Sequence, residues 1–172
     1  MSRVWIYVVL SGMVLTSGCA STSGSPTFMP RAGSQVEVTQ ELRNPVSGAR
    51  LFIQHGKVQR RSKITVQDPY CQFFSNRSRA EMSDPLVIRP QIFTITRSFR
   101  RRDFSWAYGV QVAEAMSNAD MSSVMELDSD IQPDIIRLVC QRWGSVRLDG
   151  YLTINEMKTT LSGLVNLNII SQ

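Results

Sequence analysis

From residue 36 to residue 99, short apolar runs, two of them alternating with polar residues, are punctuated by proline and glycine. Val36 and Val38 alternate with Glu37 and Thr39, and Ile64 and Val66 alternate with Lys63, Thr65 and Gln67. A period of two places successive side chains on opposite faces of an extended strand. Residues 50–54 form a short apolar run, and His55-Gly56 then separates them from Lys57-Val58 as a tight turn would. Tyr70, Phe73 and Phe74 make residues 70–74 rich in the aromatics that strands favour. Pro85 and Pro90 bracket Leu86-Val87-Ile88, and residues 91–99 carry Ile92, Phe93, Ile95 and Phe99 with threonines between. Prolines so placed suit strand ends and sheet edges, not helix interiors. No internal repeat is visible.

The second half reads less plainly. Residues 108–116 fit a short helix, but Gly109 and residues 117–120 (Ser-Asn-Ala-Asp) fit a loop leading to a strand over residues 121–128. Residues 134–143 fit a helical face as well as a buried strand; β-rich neighbours favour the strand. The last element is a helix. Thr153 and Glu156 have the spacing of a capping box, Ile154, Met157, Leu161 and Leu164 share one helical face, and Gly163 marks its end. The 172 residues suit one domain, which the alternation makes mostly β (α+β): an antiparallel sheet or sandwich with a C-terminal helix.

The N-terminus follows different rules. Arg3 supplies a positive charge, residues 4–15 are apolar and uncharged, and Thr16-Ser17-Gly18 precede Cys19. A charged start, an apolar run too short for a span of roughly 20 residues, and a small-residue site describe a secretory signal peptide over residues 1–18. The cysteine that closes the pattern resembles the lipobox of bacterial lipoproteins, although Thr16 stands where that box usually has Leu. The resemblance implies cleavage before Cys19 and acylation of its thiol. Ala20 follows, where an Asp would resemble an inner-membrane retention signal, so the likeness implies the outer membrane with the domain facing the periplasm. Two or more acyl chains hold a protein stably in a bilayer. Residues 20–34 are small and polar with two prolines, a flexible tether reaching about 50 Å if extended. The globular part is expected over residues 35–172.

If Cys19 carries lipid, Cys71 and Cys140 remain, an even pair in an oxidising compartment, and a disulfide is the expected use. A thiol nucleophile or metal ligand would need Cys-x-x-Cys or Cys–His spacings that do not occur. The net charge is +5. In an envelope a basic surface meets an anionic lipid, a glycan or an acidic protein, and nucleic acid is not a neighbour. The densest cluster is Arg97, Arg100, Arg101 and Arg102, read here as a basic binding patch, with further cations at Arg60, Arg61, Lys63, Arg77 and Arg79.

Signals for catalysis are few. His55 is the only histidine, which excludes sites built on two. Residues 145–156 match a calcium loop at Gly150, Leu152 and Glu156, but Ser145 and Arg147 occupy positions where carboxylates belong. A turn at Asp149-Gly150 and the capping box account for the same residues. Glu126, Asp128 and Asp130 alternate and would share one strand face. They support an alternative reading, an envelope hydrolase or metal-dependent enzyme working near Asp128. Neither GxSxG, P-loop nor HExxH is present. The favoured expectation is non-enzymatic, with no cofactor, no metal and no catalytic residue. Tyr70-Cys71-x-Phe73, Ile88-x-Pro90-x-x-Phe93-x-Ile95, Cys140-x-x-Trp143 and Leu152-Thr153-x-x-Glu156 together are similar to uncharacterised proteobacterial lipoproteins, a likeness that implies no activity.

Overall fold

A computed structural model describes residues 29–104, 118–145 and 150–170. The expected signal peptide, Cys19, the first part of the expected tether and the helix considered at residues 108–116 lie outside the described residues. The strands are β1 (Gln35–Val38), β2 (Leu42–Ser47), β3 (Arg50–Gln54), β4 (Lys57–Gln59), β5 (Tyr70–Ser75), β6 (Pro85–Ile88), β7 (Gln91–Phe104), β8 (Asn118–Asp128), β9 (Ile135–Ser145) and β10 (Val165–Asn168), with one helix, α1 (Ile154–Leu161). Eight strands form one antiparallel sheet in the order β10-β1-β7-β8-β9-β5-β3-β4, and β2 pairs with β6 separately. The expected mostly β class with a C-terminal helix is what the chain adopts. No helix among the described residues is long and apolar enough to cross a membrane.

The sheet curls. Phe73 on β5 and Phe93 on β7 are separated by β8 and β9, so in a flat sheet they would stand at least about 14 Å apart, three strand spacings. Their ring centroids are 6.3 Å apart. The concave face closes around Val36, Leu51, Ile53, Phe73, Phe93, Ile95, Met125, Leu138 and Leu167, all nearly or fully buried. Helix α1 seals it with Met157 and Leu161 and packs on β3, β5 and β10. Burial of each such side chain contributes about 1.5–3 kcal/mol.

Local chemistry explains the ends. The Thr153 N–H donates to Glu156 Oε2 (2.8 Å) and the Glu156 N–H to Thr153 Oγ1 (3.2 Å), the expected capping box. The helix stops at Leu161, however. Leu164 lies beyond it and leads into β10, an edge strand whose four residues are too few to show a period. His55 and Gly56 both have positive φ (53° and 67°), the requirement of a two-residue type I′ hairpin turn between β3 and β4. The Gly56 N–H donates to the Thr160 carbonyl (2.9 Å), and a Cβ there would stand 2.6 Å from the Ser162 carbonyl oxygen.

Two boundaries move from the expectation, and residues 64–67, where the alternation suits a strand, form none. Residues 134–143 are strand, as favoured. Residues 118–120, expected as loop, already belong to β8, because β7 runs on to Phe104 and supplies them with partners. Packed chain also begins before Gln35: Pro30 is buried, the Gly33 N–H donates to the Ile95 carbonyl (2.8 Å), and Ser34 is fully buried. Cys71 and Cys140 form the expected disulfide (S–S 2.08 Å) between directly opposite positions of β5 and β9, both fully buried in the core. The bridge joins residues 69 apart in sequence, and closing a loop of that length stabilises a fold by about 4 kcal/mol in the chain-entropy model.

Candidate anion-binding face

The arginine cluster of β7 is divided by one residue. Ile95 pairs with Leu127 and Arg97 with Glu126, so Thr96 is an extra residue, a bulge, in β7. Two residues apart normally means one face. Across this bulge it means opposite faces: Ile95 is buried in the core and Arg97 is exposed on the convex side. From there the strand alternates, so Arg97 and Arg101 point outward while Arg100 and Arg102 share the inner face. The patch expected from Arg97, Arg100, Arg101 and Arg102 is therefore not one surface.

Inside, Arg100 belongs to the row of Ser123, Cys140, Cys71 and Ile53. Its guanidinium lies over Tyr151 at 4.7 Å from the ring centroid, and Arg102 reaches the same ring at 5.9 Å. Arg142, in the row of Arg102, makes an ion pair with Glu156. Burial would raise the Glu156 carboxyl, but the Thr153 N–H, the Arg142 guanidinium and the Thr153 hydroxyl outweigh it and hold it below the usual value.

Outside, register builds a line that no stretch of sequence contains. Arg97 on β7 faces Glu126 on β8, which faces Arg137 on β9, then Phe74 on β5 and Arg50 on β3. Cross-strand partners share a face, so these five side chains form one row across five strands. Arg50 and Arg137 both lie over Phe74, at 4.8 and 5.9 Å from its centroid, and Arg97 lies over Phe99 at 5.1 Å. Arg61 adds a fourth guanidinium over Phe52 (5.7 Å) and Tyr70 (5.8 Å). Such stacking orients a guanidinium and leaves its in-plane N–H fork available. Among the described residues, Arg50, Arg61, Arg97 and Arg137 have no carboxylate within 4 Å. Arg101 is engaged, with Nε 2.7 Å from Asp103.

Next to this row the outer face is closed and mostly apolar: Phe52, Gln72, Val139 and Val124 are buried and lead to Phe99. A polar net follows. Gln72 Nε2 and Ser122 Oγ donate to Gln141 Oε1 (3.3 and 3.1 Å), and Gln141 Nε2 donates to the Tyr70 phenol oxygen. Burial pushes the Tyr70 phenol above its ordinary value, against Arg61 and the Gln141 bond. Beyond it, Asp103 and Asp120 stand directly opposite. Burial, and then the Asp103 charge, raise the Asp120 carboxyl despite Arg61 and Arg101.

The acidic alternation does not converge. Glu126 lies half-buried in the arginine row, Asp128 is exposed at the end of β8, and Asp130 is past the strand. Among the described residues no three His, Cys, Asp or Glu side chains come together as metal ligands would. His55 is exposed, 3.5 Å from Asp68, beside a cleft of about 310 Å³ lined with Pro69, Asn155, Glu156, Thr159 and Thr160. Of the loop that resembles a calcium site, residues 146–149 lie outside the described residues. Arg50, Arg137 and Phe74 were not among the candidate site residues named from sequence, since only strand register relates them. No protein-family model matches the chain, and comparison with curated proteins and solved structures finds no significant match.

Proposed function

We propose that the chain is a bacterial envelope lipoprotein, anchored in the outer membrane through acyl groups on Cys19 with its domain in the periplasm. In this reading the domain is a non-enzymatic module that binds an anionic partner on the outer face of its sheet. The observation that carries the binding reading is the set of guanidiniums of Arg50, Arg61, Arg97 and Arg137, each within 6 Å of an aromatic centroid and none within 4 Å of a carboxylate among the described residues. The anchor is supported by the apolar run and small residues before Cys19. The Cys71–Cys140 bridge agrees with export, since such bonds persist in oxidising compartments.

Labelling growing cells with radioactive palmitate tests the anchor: label enters the wild type and not Cys19→Ser. An unlabelled wild type would overturn it. Crosslinking in intact envelopes tests the binding. The wild type captures a partner that a variant with Arg50, Arg97 and Arg137 all changed to Gln does not, and equal capture by both would remove the outer face from the account.

A further inference from the structure

We infer that the row Arg50–Phe74–Arg137–Glu126–Arg97 is a binding track for a linear polyanion, specifically an acidic polysaccharide lying across the strands. The inference rests on the reading that this face takes an anionic partner, and it names the partner's shape. The three arginines occupy β3, β9 and β7, alternate positions in the strand order β7-β8-β9-β5-β3. With strands about 4.8 Å apart, their backbone positions follow at a pitch of roughly 10 Å, and the row runs roughly 20 Å around the curled sheet.

Each guanidinium is held by a ring: Phe74 serves Arg50 and Arg137, and Phe99 serves Arg97. Less rotamer freedom then remains to be lost when an anion binds, and each fork matches one carboxylate, phosphate or sulfate bidentately.

Three of the four outer-face guanidiniums that have no carboxylate within 4 Å among the described residues fall on one line, and Arg61 stands to one side of it over Phe52 and Tyr70. One flank is the row Phe52, Gln72, Val139, Val124 and Phe99, and toward the other end of β8 stands the exposed Asp128. A membrane surface, with mobile headgroups spread over an area, gains most from cations distributed over an area. A chain with an anionic group about every 10 Å gains most from this row, by linking contacts that are individually weak.

The test titrates the full chain with three probes: polygalacturonate oligomers of graded length, phosphatidylglycerol vesicles and inorganic phosphate. Affinity for the oligomers is expected to rise at least about tenfold as their length passes that of the row. Single changes Arg50→Gln, Arg97→Gln and Arg137→Gln should each weaken long oligomers by roughly threefold to tenfold, while Arg79→Gln, outside the row, leaves them unchanged. Urea unfolding of each variant verifies an intact fold. Arg137→Lys, which keeps the charge and loses the planar fork, should also weaken binding. Row-dependent binding of vesicles without length-dependent binding of oligomers would overturn the polysaccharide track and leave the anionic-partner reading standing. Binding of oligomers and vesicles that is indifferent to all three arginines would overturn both.

Discussion

The two faces of β7 use the same residue for opposite purposes. On the inner face Arg100 and Arg102 enclose Tyr151, and Arg142 beside them pairs with Glu156 at the start of α1. On the outer face Arg97, with Arg137 and Arg50 in line, has an aromatic ring beneath it and no carboxylate within 4 Å among the described residues, although Glu126 stands opposite it on β8. Inner cations are spent on holding the sheet to the helix. Outer ones are oriented and left unneutralised. The difference arises from Thr96, since one extra residue reverses the facing of everything after it in the strand. Arginine count along a chain therefore says little about a basic surface until register is known.

The comparison breaks most readily at the core. Replacing both bridge cysteines, Cys71→Ala with Cys140→Ala, should lower stability by about 4 kcal/mol, read from urea midpoints, with the outer face unaffected in what it binds. Gly56→Ala comes next. Its Cβ meets the Ser162 carbonyl oxygen at 2.6 Å and the backbone there is left-handed, so a loss of about 1–3 kcal/mol is expected by the same measurement.

Smaller effects have opposite signs on the two faces. The Glu156 carboxyl is held below its ordinary value, so its contribution is present above the usual carboxylate range and lost as pH falls through the folded-state value. Glu156→Gln should therefore be less stable than wild type at neutral pH and converge with it in acid. Asp120 on the outer face is raised, so its favourable contribution is present in acid and lost as pH rises through the folded-state value. Asp120→Asn should gain slightly at neutral pH and lose that gain in acid. Thermal melts across pH 3–7 check both, roughly spanning the carboxylate range and neutrality. Slopes of the same sign for the two variants would contradict the assigned environments.

Much of the fold was legible because it is local. Alternation at Val36 and Val38, the His55-Gly56 turn, the aromatics at residues 70–74 and the Thr153/Glu156 box each express their structure within a few residues. The cysteine pairing was also legible, by elimination once Cys19 was set aside. What escaped is non-local. β10 has only Val165 and Leu167 as inward positions, too short a pattern to distinguish from a helix end. The bulge leaves no mark because Thr96 is an ordinary strand residue. The arginine row joins positions 50, 74, 97, 126 and 137, which only five-strand register brings together.

Salt dependence of binding to isolated envelopes tests the central claim most directly. The full chain and the variant with Arg50, Arg97 and Arg137 all changed to Gln are compared over increasing sodium chloride. Wild-type binding is expected to weaken steeply with salt, and the variant, of unchanged unfolding midpoint, to bind weakly and nearly independently of salt. A variant that binds as tightly as the wild type, with the same salt slope, would contradict the assignment of this outer face as the surface that meets the partner.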